Sequence, residues 1–328
     1  MGSNSIVFFG SPLIDIIVKV DRSFLNAFKL KTNDAVAIND ENEIFCAIRS
    51  LSPKYVVGGC ALNSARILKH VSNNFNCTVI GAVGDDEYSN MIKTQLTRDG
   101  VNYIFATAPK TTGRCAVLLN NEHRSLCTDL GASKLFAPEH LSEEEVWNCL
   151  KNGRCVYIPG FFLSVSLECV LTISQHTDKK IFAFNLSAPF IVELYAREIY
   201  QLLPNVDILF GNEAEARALA AACGFQYHKL SDVLKCISAL NRKNKSIVIV
   251  ITRGSKSVYT VRDGRVRKHR VTKLDETKIK DTTAAGDAFV GGFLGSFIMG
   301  KSLDVCVSSG INIAQTVIQY NGCWFEDR

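Results

Sequence analysis

The sequence predicts an α/β fold: a mostly parallel central sheet flanked by helices on both faces, with a small β-sheet attached. Three observations predict it. Short β-branched or aromatic runs without polar alternation recur along the chain, as in strands buried on both faces. Helical stretches separate them, the pattern of a parallel sheet crossed by helices. A length of 328 residues is enough to bury a large core.

The strand-like runs are Ile6–Phe9, Thr78–Ile80, Val156–Ile158, Ile181–Asn185, Ile208–Phe210 and Ile247–Ile251. Helices are expected over Asn63–Val71, Tyr88–Asp99, Glu143–Leu150, Ser166–His176, Asn212–Ala222 with Gly224 as a stop, and Ser231–Asn241. Two regions break the alternation. Asp15–Asn39 and Tyr103–Leu130 read as alternating strands with turns at Thr112-Gly113 and Asn120-Asn121. The expected division is a large α/β body (1–14, 40–102 and 131–328) and a small β lid (15–39 and 103–130).

Hydrophobic residues at 47% and charged residues at 21% describe a globular chain and exclude a disordered one. A net charge of +5 suits anionic small substrates and does not demand nucleic acid. Arg262, Arg265, Arg267, Lys268 and Arg270 flank Asp263-Gly264, a hairpin signal, and no aromatic residues interleave with them. Twelve cysteines without a C-x-x-C pair argue against zinc, and without a secretory signal against a disulfide framework. Met1-Gly2 resembles an acylation start, but Ile6 stands where that motif needs Ser or Thr. No charge-free apolar run is long enough to span a membrane. A reduced cytoplasmic monomer is expected.

The most informative stretch is Asp281-Thr-Thr-Ala-Ala-Gly-Asp287, leading into Ala288-Phe-Val-Gly-Gly-Phe-Leu294. Small residues open an apolar helix with an aspartate in its first turn. Backbone N–H groups at a helix start lack intrahelical partners and attract anions. A carboxylate among them can take a proton from a hydroxyl while a phosphoryl group is held alongside. A well-capped core helix, with Gly291-Gly292 permitting close packing, is the plainer account of the same residues.

Gly58-Gly59-Cys-Ala-Leu-Asn63 places bare backbone and an amide at another helix start, suited to a polyol. Asn212-Glu-Ala-Glu215 fits a capping box as well as a ligand site. Thr252-Arg-Gly254 follows the most apolar strand, at the end where such sheets bind ligands. Gly295-Ser-Phe-Ile-Met-Gly300-Lys301-Ser302 matches the P-loop pattern, yet Phe297, Ile298 and Met299 would crowd a phosphate cradle. A helix end with Gly300 as its cap suits them better.

In this order these motifs resemble those of the ribokinase-like (PfkB) carbohydrate kinases, over nearly the whole chain. Gly10-Ser-Pro-Leu-Ile-Asp15, Gly160-Phe-Phe-Leu163, Asn185-Leu-Ser-Ala-Pro-Phe190, Asp207-Ile-Leu-Phe-Gly-Asn-Glu213 and Gly322-Cys323 are most similar to the subgroup that phosphorylates adenosine. The resemblance implies an ATP- and Mg2+-dependent kinase acting on the 5′-hydroxyl of a nucleoside. It makes Asp287 the general base, with Ala284, Ala285 and Gly286 in an anion hole and Arg124 reaching the transferred phosphate from the lid. Asp15, Gly59 and Asn63 would hold the ribose. Leu126, Leu130, Phe162 and Phe190 would enclose the base, with Thr283 nearby. Asn212 and Glu215 would order Mg2+ and ATP phosphates without direct ligation, with Thr252 and Gly254 on the ATP side.

A helix N-terminus is expected to keep Asp287 ionised and weakly basic. Thr283-Ala284 stands where the subgroup has Asn-Gly, and a positive φ there would cost Ala about 1–2 kcal/mol. Ser11 replaces an expected Asn, and Ala35 falls near an expected polar contact to the base.

Overall fold

The structure, a computed structural model, describes residues 4–32, 35–38, 43–120, 123–177, 179–240 and 246–323. The first third of the chain holds β1 (Ser5–Phe9), β2 (Leu13–Lys19), α1 (Arg22–Ala27), β3 (Ala35–Ala37), α2 (Ile44–Ile48), β4 (Lys54–Gly58), α3 (Cys60–Val71), β5 (Asn76–Val83), α4 (Glu87–Arg98) and β6 (Asn102–Thr107). Then come β7 (Gly113–Asn120), β8 (His123–Asp129), α5 (Pro138–Leu141), α6 (Glu144–Asn152), β9 (Cys155–Pro159), α7 (Leu163–Gln175), β10 (Ile181–Asn185), α8 (Pro189–Leu194) and α9 (Ala196–Leu202). The last part adds β11 (Ile208–Asn212), α10 (Glu213–Ala222), α11 (Leu230–Ser238), β12 (Val248–Thr252), β13 (Val258–Arg262), β14 (Arg265–His269), α12 (Ala285–Ile298) and α13 (Leu303–Val317).

Nine strands form the large sheet in the order β14-β13-β12-β11-β10-β9-β1-β5-β6. From β12 to β6 every pairing is parallel, and β13 and β14 close the other edge as an antiparallel hairpin. The uninterrupted apolar runs follow from this. Every residue of β1 and β9 is buried, because helices cover both faces. One face packs Phe8, Tyr157, Phe210 and Val250 against α3 and α12, and the other packs Phe9, Val156, Phe184 and Ile249 against α7 and α10. At the hairpin tip Asp263 and Gly264 take φ of 53° and 70°, the paired positive values of the two-residue turn that Asp-Gly favours.

A second sheet of five strands runs β3-β8-β7-β2-β4. Its membership corrects the expected division. It begins at Leu13 and recruits β4 from the stretch assigned to the body, while β6, assigned to the lid, pairs with β5 at the edge of the large sheet. Residues 22–27 are helical rather than extended, because Asp21 caps them by accepting from the Phe24 N–H at 2.8 Å. No turn forms at Thr112-Gly113. Asp86 accepts from both the N–H and the hydroxyl of Thr112 at 2.7 Å, and Gly113 opens β7 directly. The Asn120-Asn121 turn and the end of the Ser231–Asn241 helix fall partly outside the described residues.

The P-loop match dissolves into the end of α12. Gly300 has φ of 72°, and the Lys301 N–H donates to the Ser296 carbonyl at 3.1 Å, closing a Schellman-type cap. Gly291 and Gly292 serve close packing. A Cβ on Gly291 would stand 2.9 Å from the Ser64 carbonyl of α3, and one on Gly292 equally close to Ser309 of α13. Gly291 thus lets α3 approach α12, where Asn63 meets Asp287, and Gly292 lets α13 approach from the other side.

Candidate active site

β1, β9, β10, β11 and β12 run parallel, so their carboxyl ends share one edge of the large sheet, and β2 pairs with β4 with Leu13 opposite Gly58. The turn before α12 is organised by Asp281. One of its oxygens accepts from the Thr283 N–H at 2.9 Å and from the Thr283 hydroxyl, and pairs with Arg124 of β8 at 3.1 Å. The other accepts from the Gly322 N–H at 2.8 Å. In the plainer account of a well-capped core helix, Asp281 would be an ordinary cap residue. Its side chain in fact ties together the small sheet, the α12 turn and the segment after α13.

Ala284 has φ of −91° and ψ of 11°, so the alanine carries no left-handed strain. Among the described residues the N–H groups of Ala284, Gly286 and Asp287 donate to no protein acceptor, whereas that of Ala285 is used by the Thr282 carbonyl at 3.2 Å. Gly286 is exposed, with no atom within 4 Å of where a side chain would project. Free donors beside the open space at Gly286 are the arrangement an anion site requires.

Asp287 is 8% exposed at the edge of that turn. The Asn63 amide donates to its carboxylate at 2.9 Å, and the Ser64 hydroxyl of α3 donates to its backbone carbonyl at 3.2 Å. Burial pushes Asp287 up to about 7, hydrogen bonds from Asn63 and Cys60 oppose the rise, and the charge of Asp15 adds to it. The direction is opposite to that expected of a carboxylate at a helix N-terminus, and burial is its largest cause. Asn63 is likewise not free for a ligand as a whole. Its NH2 is committed to Asp287, and its Oδ1 is buried without a partner.

Asp15 projects from β2 against Gly58 of β4, where a Cβ would come within 2.5 Å of its carboxylate oxygen. It too is raised to about 7, by desolvation, with Arg124 opposing and Asp281 reinforcing the rise. Gly59 has φ of 101°, and a side chain on it would collide with the Ser11 carbonyl. The Ser11 hydroxyl is buried and unpartnered beside it. Leu126 and Leu130, part-exposed, lie on and just after β8.

The expected aromatic pair is corrected. Phe162 is 1% exposed and packs among Phe9 and Phe136 in the core, whereas Phe161, part-exposed, faces Phe190 with ring centroids 6.1 Å apart. Neighbours in the short 3₁₀ turn Gly160–Phe162 point different ways, so one ring enters the core and the next leaves it. Phe190, 46% exposed, follows a tight turn in which Ser187 takes φ of 68° and its N–H donates to the Asn185 side chain.

Across the sheet, Asn212 and Glu215 form a reciprocal cap on α10. The Glu215 N–H donates to the Asn212 side chain at 3.0 Å, and the Asn212 N–H and amide donate to the two Glu215 oxygens at 2.9 and 2.5 Å. Glu215 is 4% exposed and burial pushes it to about 7. Both Glu215 oxygens thus accept a hydrogen bond from Asn212 within the cap. Among the described residues no cluster of three or more His, Cys, Asp or Glu is placed to hold a metal ion. Thr252 ends β12, with its hydroxyl 3.4 Å from the Gly211 carbonyl, and Gly254 turns the chain at φ of 59° with open space beside it. Between them Arg253 pairs with Glu213 at 2.5 Å, a residue to which Arg217 also binds at 2.7 Å. Motif spacing gave no signal for that ion cluster, which joins α10 to the loop after β12.

The pfkB family carbohydrate kinase model matches residues 25–327. The chain belongs to that family. It is 34% identical to adenosine kinase 2 of Arabidopsis thaliana over 97% of this chain and 95% of that protein. It is 32% identical to the adenosine kinase of Schizosaccharomyces pombe, over 97% and 96%. Among solved structures, Anopheles gambiae adenosine kinase in complex with P1,P4-di(adenosine-5) tetraphosphate superposes with a TM-score of 0.92 at 34% identity, covering 98% of each chain. Schistosoma mansoni adenosine kinase in complex with 2-fluoroadenosine gives 0.94 at 27% identity, covering 100% and 98%. These matches establish the ribokinase-like fold of the family member described above.

Proposed function

We propose that this pfkB-family chain is an ATP-dependent nucleoside kinase that transfers the γ-phosphoryl group of ATP to the 5′-hydroxyl of adenosine, giving AMP and ADP. The observation that carries the reading is Asp287 in the first turn of α12, beside the free N–H groups of Ala284, Gly286 and Asp287. It is supported by the similarity to adenosine kinases across almost the full length of each.

In this reading Asp287 takes the proton of the 5′-hydroxyl as the new O–P bond forms and the bond to ADP breaks. A carboxylate held near 7 is well matched to that task at neutral pH, and such a base supplies on the order of 10²–10⁴ in rate. The N–H groups stabilise charge on the migrating phosphoryl group, each worth on the order of 10²–10³. Asp15, Gly59 and the free Oδ1 of Asn63 receive the ribose hydroxyls, and Phe161 and Phe190 border the base with Leu126 and Leu130. The small sheet acts as a lid that brings Arg124 toward the phosphate and excludes water. Magnesium would arrive on the ATP phosphates and neutralise their charge. Asn212 and Glu215 would reach it only through water, with Thr252 and Gly254 along the nucleotide. Twelve free thiols suit a reducing, cytoplasmic setting.

A sugar kinase of the same fold would have no use for the Phe161/Phe190 pair. A nucleoside binder that has lost turnover is disfavoured by the unstrained φ of Ala284. Measuring ADP release from Mg-ATP across a panel of nucleosides and pentoses separates the three. Turnover confined to adenosine and close analogues is expected, and a pentose preference or an inert protein would refute the assignment.

A further inference from the structure

We propose that Asn185 is a positioning residue for the base slot: its side chain holds Ser187 in the left-handed backbone conformation that turns Phe190 toward Phe161. The inference rests on the reading of that aromatic pair as the border of the nucleoside base, and goes beyond it by naming what sets the pair. Asn185 is the last residue of β10, in register with Pro159 at the end of β9. The chain leaves the two strands side by side, once into the 160–162 turn that carries Phe161 and once into the turn before α8, which carries Phe190. A Cβ on Gly160 would stand 2.8 Å from the Leu186 carbonyl and 2.9 Å from that of Asn185, so the two turns are in direct contact.

The second turn is the strained one. The Ala188 N–H donates to the Leu186 carbonyl at 2.8 Å, closing a three-residue turn around Ser187 at φ of 68°. This is the left-handed form of that turn, which a residue with a side chain adopts at a cost. Asn185 offsets the cost. Its side-chain oxygen accepts from the Ser187 N–H at 3.2 Å, and its backbone carbonyl accepts from the Ser187 hydroxyl at 3.3 Å. Because the Ser187 N–H is a donor, the amide oxygen must face it, which leaves the NH2 for a second partner. That NH2 donates at 3.3 Å to the hydroxyl of Tyr157, a fully buried residue of β9. One end of the Asn185 amide is thus anchored in the core, and the other shapes the turn that aims Phe190.

The test is steady-state kinetics, with adenosine and Mg-ATP varied separately, for wild type, Asn185→Ala, Asn185→Leu, Asn185→Asp and Asn185→Ala combined with Ser187→Gly. Loss of the acceptor in Asn185→Ala and Asn185→Leu should let Ser187 relax and Phe190 turn away. The KM for adenosine should then rise by about twofold to tenfold, the worth of one aromatic contact, while kcat and the KM for ATP change by less than about twofold. Asn185→Asp, which keeps an oxygen for the Ser187 N–H, should recover most of the loss. Adding Ser187→Gly to Asn185→Ala should recover it too, because glycine takes a positive φ without steric penalty. A residue that served overall stability alone would gain nothing from a more flexible turn. Two variants lack the acceptor, so failure of either to fold leaves the other to decide. An unchanged adenosine KM in both, or a loss shared equally by kcat and the KM for ATP that Ser187→Gly does not repair, overturns the proposal. A wild-type protein that phosphorylates no nucleoside would instead overturn the reading of the slot itself.

Discussion

At Asp287 two requirements pull against each other. A base must be ionised to accept a proton, yet exclusion of water strengthens every dipole aimed at the transferring group and raises the carboxylate to about 7. The raised value has a consequence for stability. The protonated form is favoured in the folded protein, so the contribution is fully present below the ordinary value of 3.8 and is lost as pH rises through about 7. Asp287→Asn should therefore unfold at a higher temperature than wild type at pH 8, with a gap that narrows toward pH 5, while turnover falls on the order of 10²–10⁴. Thermal melts at both pH values check the first statement, and initial rates with a separate adenosine-binding titration check the second. The residue's position in the first turn of a helix was legible in the sequence, because small residues precede an apolar helical run there. Its ionisation was not, since burial and the hydrogen bond from Asn63, more than two hundred positions away, are set by tertiary packing. Phe161 and Phe162 show the same limit: adjacent identical residues, of which only packing decides which ring is buried.

Among the elements, the pairing of α12 with α3 carries the site. Gly291 sits where its Cβ would press on the Ser64 carbonyl at 2.9 Å, in the same turn of α3 that supplies Asn63. Gly291→Ala should force the helices apart at a cost of about 1–3 kcal/mol and lengthen the Asn63–Asp287 bond. The measurable outcome is a lower Tm together with a reduced kcat, whereas Gly264→Ala, at the remote hairpin, should change Tm alone. Most of the large sheet could be read from its apolar runs, since burial on both faces leaves a distinct pattern. The edges of the small sheet could not. β4 and β6 have similar local composition, and only their partners, β2 in one case and β5 in the other, assign them. The Asn212/Glu215 box was equally readable as a cap, and a cap is what its hydrogen bonds make it.

Over the whole molecule, Asp15 on the small sheet and Asp287 on the body are separate fixtures that one nucleoside would bridge. Adenosine should therefore slow amide exchange in β3, β7 and β8 far more than in β10 and β11, whose hydrogen bonds lie inside the large sheet. Uniform slowing across both sheets, read by hydrogen-exchange mass spectrometry, would argue against a lid. On the proposed reading, Arg124 would leave its pairing with Asp281 to meet the phosphate. Arg124→Ala should lower kcat by on the order of tenfold to a hundredfold, with a smaller effect on adenosine KM, because a donor to developing charge acts mainly in the transition state.

The negative φ of Ala284 has a thermodynamic implication of its own. An alanine compatible with the native backbone narrows the range of shapes open to the unfolded chain, worth about 0.4–1 kcal/mol relative to glycine. The turn proposed to meet the phosphate would thus be stiffened once, during folding. Each catalytic cycle then begins with its dipoles already aligned, and the activation entropy should be less unfavourable than in a variant carrying glycine at position 284.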